Sequence, residues 1–153
     1  MPSLAILMEF QTCQSDQLAL CDELEAIADG LPDAVDREAC LQAARAVLNV
    51  LSRSRAFEED RLFPTLTTLG AAGTRDGLDE TLEHLRFEHL SDACFAEEVY
   101  EALMSLGRGA PTLPPSAAGY MLRGFFEGLR RHLTFEKAFV LPLLSQWNGP
   151  TRH

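Results

Sequence analysis

A helical repeat, interrupted only three times, constrains this chain more than any other feature. Apolar residues recur at spacings of three and four through four long segments, the period of an amphipathic helix. The interruptions are Gly30-Leu31-Pro32-Asp33, GAAGTRDG at 70–77 and GRGAPTLPPS at 107–116, whose Gly and Pro mark them as loops. Nothing alternates with period two for long enough to form a sheet. Rods of roughly 27 to 36 residues joined by short loops pack antiparallel to their neighbours in sequence. The expected fold is therefore all-α, an up-down-up-down antiparallel four-helix bundle. Ser3, Asp33 and Ser116 are the expected helix caps. Pro64 and Pro142 fall inside segments two and four, and each is expected to kink or break its helix because proline removes a ladder bond.

The chain has 153 residues, the length of one domain, and 1–153 is read as a single unit. At 46% hydrophobic it can bury a core without disulfides or a structural metal. Its formal net charge of −10 argues against binding to nucleic acid or to anionic lipid, since both need a positive face. No apolar run approaches the roughly 18 residues needed to span a bilayer. The N-terminal MPSLAILMEF lacks basic residues and meets Glu9 too early for a signal peptide, so a cytoplasmic location is expected. Cys13, Cys21, Cys40 and Cys94 form no CxxC pair and are expected to be buried thiols rather than bridges or a zinc site.

The polar residues that interrupt the core stripes carry the chemistry. Segment three reads Leu78, Leu82, Leu85, His89, Asp92, Ala96, Val99, Leu103, Leu106, with His89 and Asp92 its only polar members. His84 falls off this stripe and reads as a surface histidine. Segment four reads Ala118, Leu122, Phe125, Leu129, His132, Glu136, Phe139, Leu143, polar only at its middle. Segment two places Ser54 and Glu58 on its stripe. In segment one Leu7, Phe10, Leu18 and Cys21 surround Gln14, and Gln17 borders an adjacent stripe. In an antiparallel bundle these groups meet at one level. Three carboxylates and two imidazoles in one dry layer cost several kcal/mol per unpaired ion. A cation held by carboxylate oxygen and imidazole nitrogen compensates them directly. The alternative is a metal-free hydrogen-bonded cluster with a neutral Glu and an imidazolium–carboxylate pair.

The two even segments also echo one another. Phe57-Glu58 is followed by Leu62-Phe63-Pro64, and Phe135-Glu136 by Val140-Leu141-Pro142, with Pro six residues after Glu in both. This pattern resembles the hemerythrin-like (HHE cation-binding) family, a four-helix bundle that holds two irons between its helices. His132-Leu-Thr-Phe-Glu136-Lys-Ala-Phe-Val-Leu-Pro142 is similar to the family's helix-four motif, AFEEDRLFPTL (56–66) to its helix-two motif, and Glu88-His89 to the pair that places the helix-three histidine. QSDQLALCDELEAIADGLP (14–32) resembles the end of its first helix. The resemblance implies metal ligands at Glu58, His89, His132 and Glu136, with Asp92 as a ligand or as an acceptor orienting an imidazole. It also implies iron, one or two ions, with manganese or zinc as substitutes. Where the family has histidines on helices one and two, this chain has Gln14 and Ser54. One metal position is thus expected to be largely intact and the other to lack its nitrogen donors. The function implied is an altered, histidine-poor centre that binds O2 or NO, or serves iron handling or sensing. The alternative is a metal-free bundle acting as an interaction or regulatory module.

Overall fold

A computed structural model describes residues 2–73 and 77–148. The helices are α1 (Pro2–Gly30), α2 (Arg37–Phe57), α3 (Phe63–Gly73), α4 (Leu78–Gly107) and α5 (Pro115–Asn148), and a π-helical turn at Glu58–Leu62 joins α2 to α3. With α2, the π turn and α3 counted as one rod, the four expected rods are present. Among the described residues there is no strand.

Pairwise contacts fix the register. On α1 and α5, Gln14 meets Glu136, Cys21 meets Phe126 and Asp29 meets Arg123. On α2 and α4, Arg37 donates to the Gly107 carbonyl while Glu58 meets His89. In each pair one number rises as the other falls, so both pairs are antiparallel. These two pairs are the most extensive packings; α1 also packs on α2, and α4 on α5. Gly107 permits the close approach of α4 to the start of α2, because a Cβ there would stand 2.5 Å from the Leu41 side chain and 3.1 Å from the Arg37 carbonyl oxygen.

The apolar core is divided. One cluster holds Leu24, Val47, Leu103, Leu122 and Phe126 at the end nearer the α1–α2 turn. The other holds Phe10, Leu62, Phe63, Leu66, Leu82 and Leu144 around α3. Buried Gln14, Gln17, Ser54, Glu58, His89, His132 and Glu136 belong to neither.

Several local expectations need correction. Asp33 lies in a turn, and Asp36 caps α2: its backbone is extended and its Oδ1 accepts from the Ala39 N–H at 3.0 Å. Ser116 lies inside α5, because Pro115 takes the first helical position, where its missing N–H costs nothing. Ser3 likewise lies inside α1. The helix after Pro64 runs to Gly73, into the first half of the expected second loop, whose residues 74–76 lie outside the described residues. The helical pattern changes just before Pro64, at the π turn, whereas α5 runs through Pro142 unbroken. Leu18 is 43% exposed, since the α1 seam passes through Gln14, Gln17 and Cys21. All four cysteines are free thiols, but only Cys21 and Cys40 are buried, and Cys94 is exposed. Among the described residues no helix is long and apolar enough to cross a membrane.

Candidate metal centre

Each rod delivers its polar residue to the central layer by a local rule. His89 and His132 sit at stripe positions midway along α4 and α5, so the packing that buries Leu85 and Leu129 buries them too. Glu136 lies one turn beyond His132 on the same face and is 0% exposed. Glu58 opens the π turn, whose bond runs from the Phe63 N–H to the Glu58 carbonyl. Pro64 follows, so its lack of an N–H falls where the ladder has already changed spacing.

One ligand atom from each of Glu58, His89, His132 and Glu136 lies within 4.8 Å of every other. His89 Nε2 stands 2.7 Å from Glu58 Oε1, and its Nδ1 stands 2.8 Å from Glu59 Oε2. The His89 ring lies parallel to the Phe63 ring, with centroids 5.7 Å apart. His132 Nδ1 hydrogen-bonds Glu88 Oε1, and its Nε2 lies 3.5 Å from Glu136 Oε2. The two imidazole centroids are 5.8 Å apart. Gln14 donates its amide N–H to Glu136 Oε1 at 3.2 Å, and Ser54 is buried nearby.

Asp92 is half-buried outside the four-residue group and lines the neighbouring cavity together with His89 and His132. His84 is a surface residue, as expected: its side chain is 60% exposed and pairs with Glu88 Oε2 at 3.1 Å. Of the imidazoles' partners, the sequence marked Glu88 only as half of the Glu88-His89 pair and did not single out Glu59. Glu59 is one residue off the α2 stripe, and Glu88 is one residue off the α4 stripe. The spacing of His84, Glu88 and Asp92 at four was a further signal for Glu88.

The electrostatics show a layer at odds with itself. Burial pushes the Glu58 carboxyl well above its ordinary range, and the adjacent Glu136 carboxylate pushes it further. Burial also opposes charge on Glu136, but His132 and the Glu58 proton outweigh it and hold Glu136 below the ordinary range. Burial pulls His132 down, yet the Glu136 and Glu88 carboxylates overcome it and raise His132 to about 9. Burial opposes charge on Glu59, but His89 and Arg55 together outweigh it and lower this carboxyl, whereas burial raises Asp92.

Glu136 Oε2 is fully buried and has no hydrogen-bond partner among the described residues. A buried carboxylate oxygen without a donor costs several kcal/mol. The two imidazoles and two carboxylates of this cluster form a donor set for iron, manganese or zinc, so the residues present fit a resident cation.

The description "Hemerythrin HHE cation binding domain" matches residues 10–144. The chain belongs to the hemerythrin HHE cation-binding family. Curated proteins and solved structures yield no match to the chain. As a hemerythrin-family protein it is a cation-binding helical protein, and the candidate ligand cluster lies inside the matched range.

Proposed function

We propose that the chain, as one hemerythrin-like domain over 1–153, holds iron through Glu58, His89, His132 and Glu136 in a histidine-poor centre. Manganese or zinc would suit the same donors. The observation that carries this is the convergence of Glu58, His89, His132 and Glu136 in one buried cluster, where Glu136 Oε2 makes no hydrogen bond and has His132 Nε2 only at 3.5 Å. The cation would supply a Lewis-acid position able to take a small neutral ligand such as O2 or NO, in a role of sensing or iron handling. Glu59 and Glu88 accept from the outward Nδ1–H of each imidazole, which turns each Nε2 inward. Asp92 adds a half-buried acceptor beside His132. Gln14 occupies one carboxylate oxygen with an amide proton, and Ser54 is a weak neutral donor, so only one cation position is well supplied. A cytoplasmic setting suits the unpaired thiols, and the −10 charge gives nucleic acid and anionic membranes no attraction.

The test is metal per chain on tag-free protein. After anaerobic Fe(II) loading the expected content is near one ion per chain. A content below about a tenth rejects the reading, because metal binding strongly favours the holo form.

A second reading has its own support. Every imidazole nitrogen already stands beside a carboxylate, and a neutral Glu58 beside a charged His132–Glu136 pair is a self-consistent layer without metal. The double variant His132→Leu, Glu136→Met separates the two. Replacing a buried ion pair with apolar groups is often neutral or stabilising by about 1–4 kcal/mol. A Tm equal to or above that of the purified wild type supports the metal-free module. A clear fall in Tm, together with loss of metal, supports the metal centre.

A further inference from the structure

A cavity of about 410 Å³ opens between α2 and α4 and ends at the ligand cluster. Its inner end is formed by Glu58, His89 and His132, which are buried. Its walls are Leu48 and Leu51 of α2 and Ala93 and Ala96 of α4. Exposed Ser52, Asp60 and Glu97 form its mouth, where Arg55 is tied to Glu59 at 3.1 Å. Small side chains make the space: Ser54 and Ala56 on one side, Ala93 and Ala96 on the other.

The cavity is far larger than a diatomic ligand needs. One water occupies about 30 Å³ of liquid, whereas pockets for small organic molecules begin near 300 Å³. The lining is also graded: aliphatic side chains form part of the walls, imidazole and carboxylate groups stand at the inner end, and polar groups return at the mouth. The mouth carries Asp60 and Glu97 with no free cation among the lining residues to balance them, which disfavours an anionic visitor. We propose that this cavity is the binding site of a neutral, mainly apolar organic molecule of about ten non-hydrogen atoms or fewer. That molecule carries one hydroxyl-type donor, which it presents to the His89–His132 end. The inference deepens the metal reading and rests on it: the cation would hold the donor atom, and α2 and α4 the apolar body.

The test uses 4-methylphenol as probe and methyl NMR of Leu48, Leu51, Ala93 and Ala96 as readout, on full-length protein with and without Zn(II). The expected result is saturable shifts of these methyls in both forms, with affinity at least about tenfold higher when zinc is bound. Ala93→Phe fills the cavity from the α4 wall, replaces no proposed ligand, and should abolish the shifts while leaving zinc content unchanged. Ala93→Leu, a smaller addition, should weaken binding in the same direction and serves if the larger ring prevents folding. Absence of shifts in zinc-loaded protein, or unchanged affinity in a folded Ala93 variant, overturns the cavity assignment. Failure to load zinc, with the methyl shifts retained and Ala93-sensitive, supports the cavity as a ligand site and overturns the metal reading instead.

Discussion

At the residue scale, the centre is a contest between burial and pairing that His132 and Glu58 settle by holding protons. Both bind a proton more tightly in the fold than in the open chain. The folded value of His132, about 9, lies above its ordinary 6.5. Its stabilisation is therefore fully present below about pH 6.5 and is lost as pH rises through about 9. Glu58 acts in the same direction, because the folded state resists its ionisation. Glu136, lowered in the fold, adds stability that is complete above its ordinary range and is lost only in acid. Metal-free protein should therefore melt at a lower temperature at pH 9.5 than at pH 6.5, as measured by circular dichroism. A Tm that is flat or rising over that interval would show that the pairing around His132 is wrong.

At the element scale, the π turn decides where Glu58 points. Residues 58–62 carry one wider turn between two ordinary helical stretches, so α2 and α3 are out of phase with a continuous α-helix. The turn lets Glu58 face His89 while Leu62, Phe63 and Leu66 remain fully buried on the next stretch. Deleting Asp60 should restore α-helical phase and rotate Glu58 by about 100° relative to α3. Either Glu58 leaves the layer or the α3 cluster loses its packing. The expected outcome is a protein with near-native far-UV helicity whose metal content falls by at least about half. Undiminished metal uptake would mean that the turn does not position the ligand. The stripes themselves were legible in the sequence: His89, His132, Glu58 and Glu136 are all buried where the three-and-four spacing put them. The π turn was not legible. Pro64 signalled an irregularity, but which hydrogen bond would lengthen depends on what Glu58 meets across the bundle.

At the scale of the whole molecule, the polar layer separates two apolar clusters, and the two ends should behave differently. Leu103 lies fourteen residues beyond His89 on α4, about 21 Å away along the helix. It is completely buried in the distal cluster. Leu103→Ala should cost about 2–5 kcal/mol of stability by leaving a cavity, with metal per chain unchanged while the protein is folded. A combined loss of metal and stability would show that the two ends are one cooperative unit with the centre. The surface pairs between α1 and α5, Asp29–Arg123 at 2.6 Å and Asp22 and Glu25 with Arg130 at 2.8 Å, run parallel to this core. Lying at the surface, with Arg130 only half-buried, they add little stability.

The sequence by itself determined that four rods would form, which stripe of three of them would be buried, and that His89, His132, Glu58 and Glu136 would share a layer. These follow from helical period and antiparallel connection, which are local or nearly so. Only the tertiary structure decided that Glu59 and Glu88 would orient the imidazoles, that Leu18 would turn outward while Gln17 faced in, and that a cavity would open between α2 and α4. Each of those depends on the distance and rotation between two rods, and no spacing along one rod encodes either.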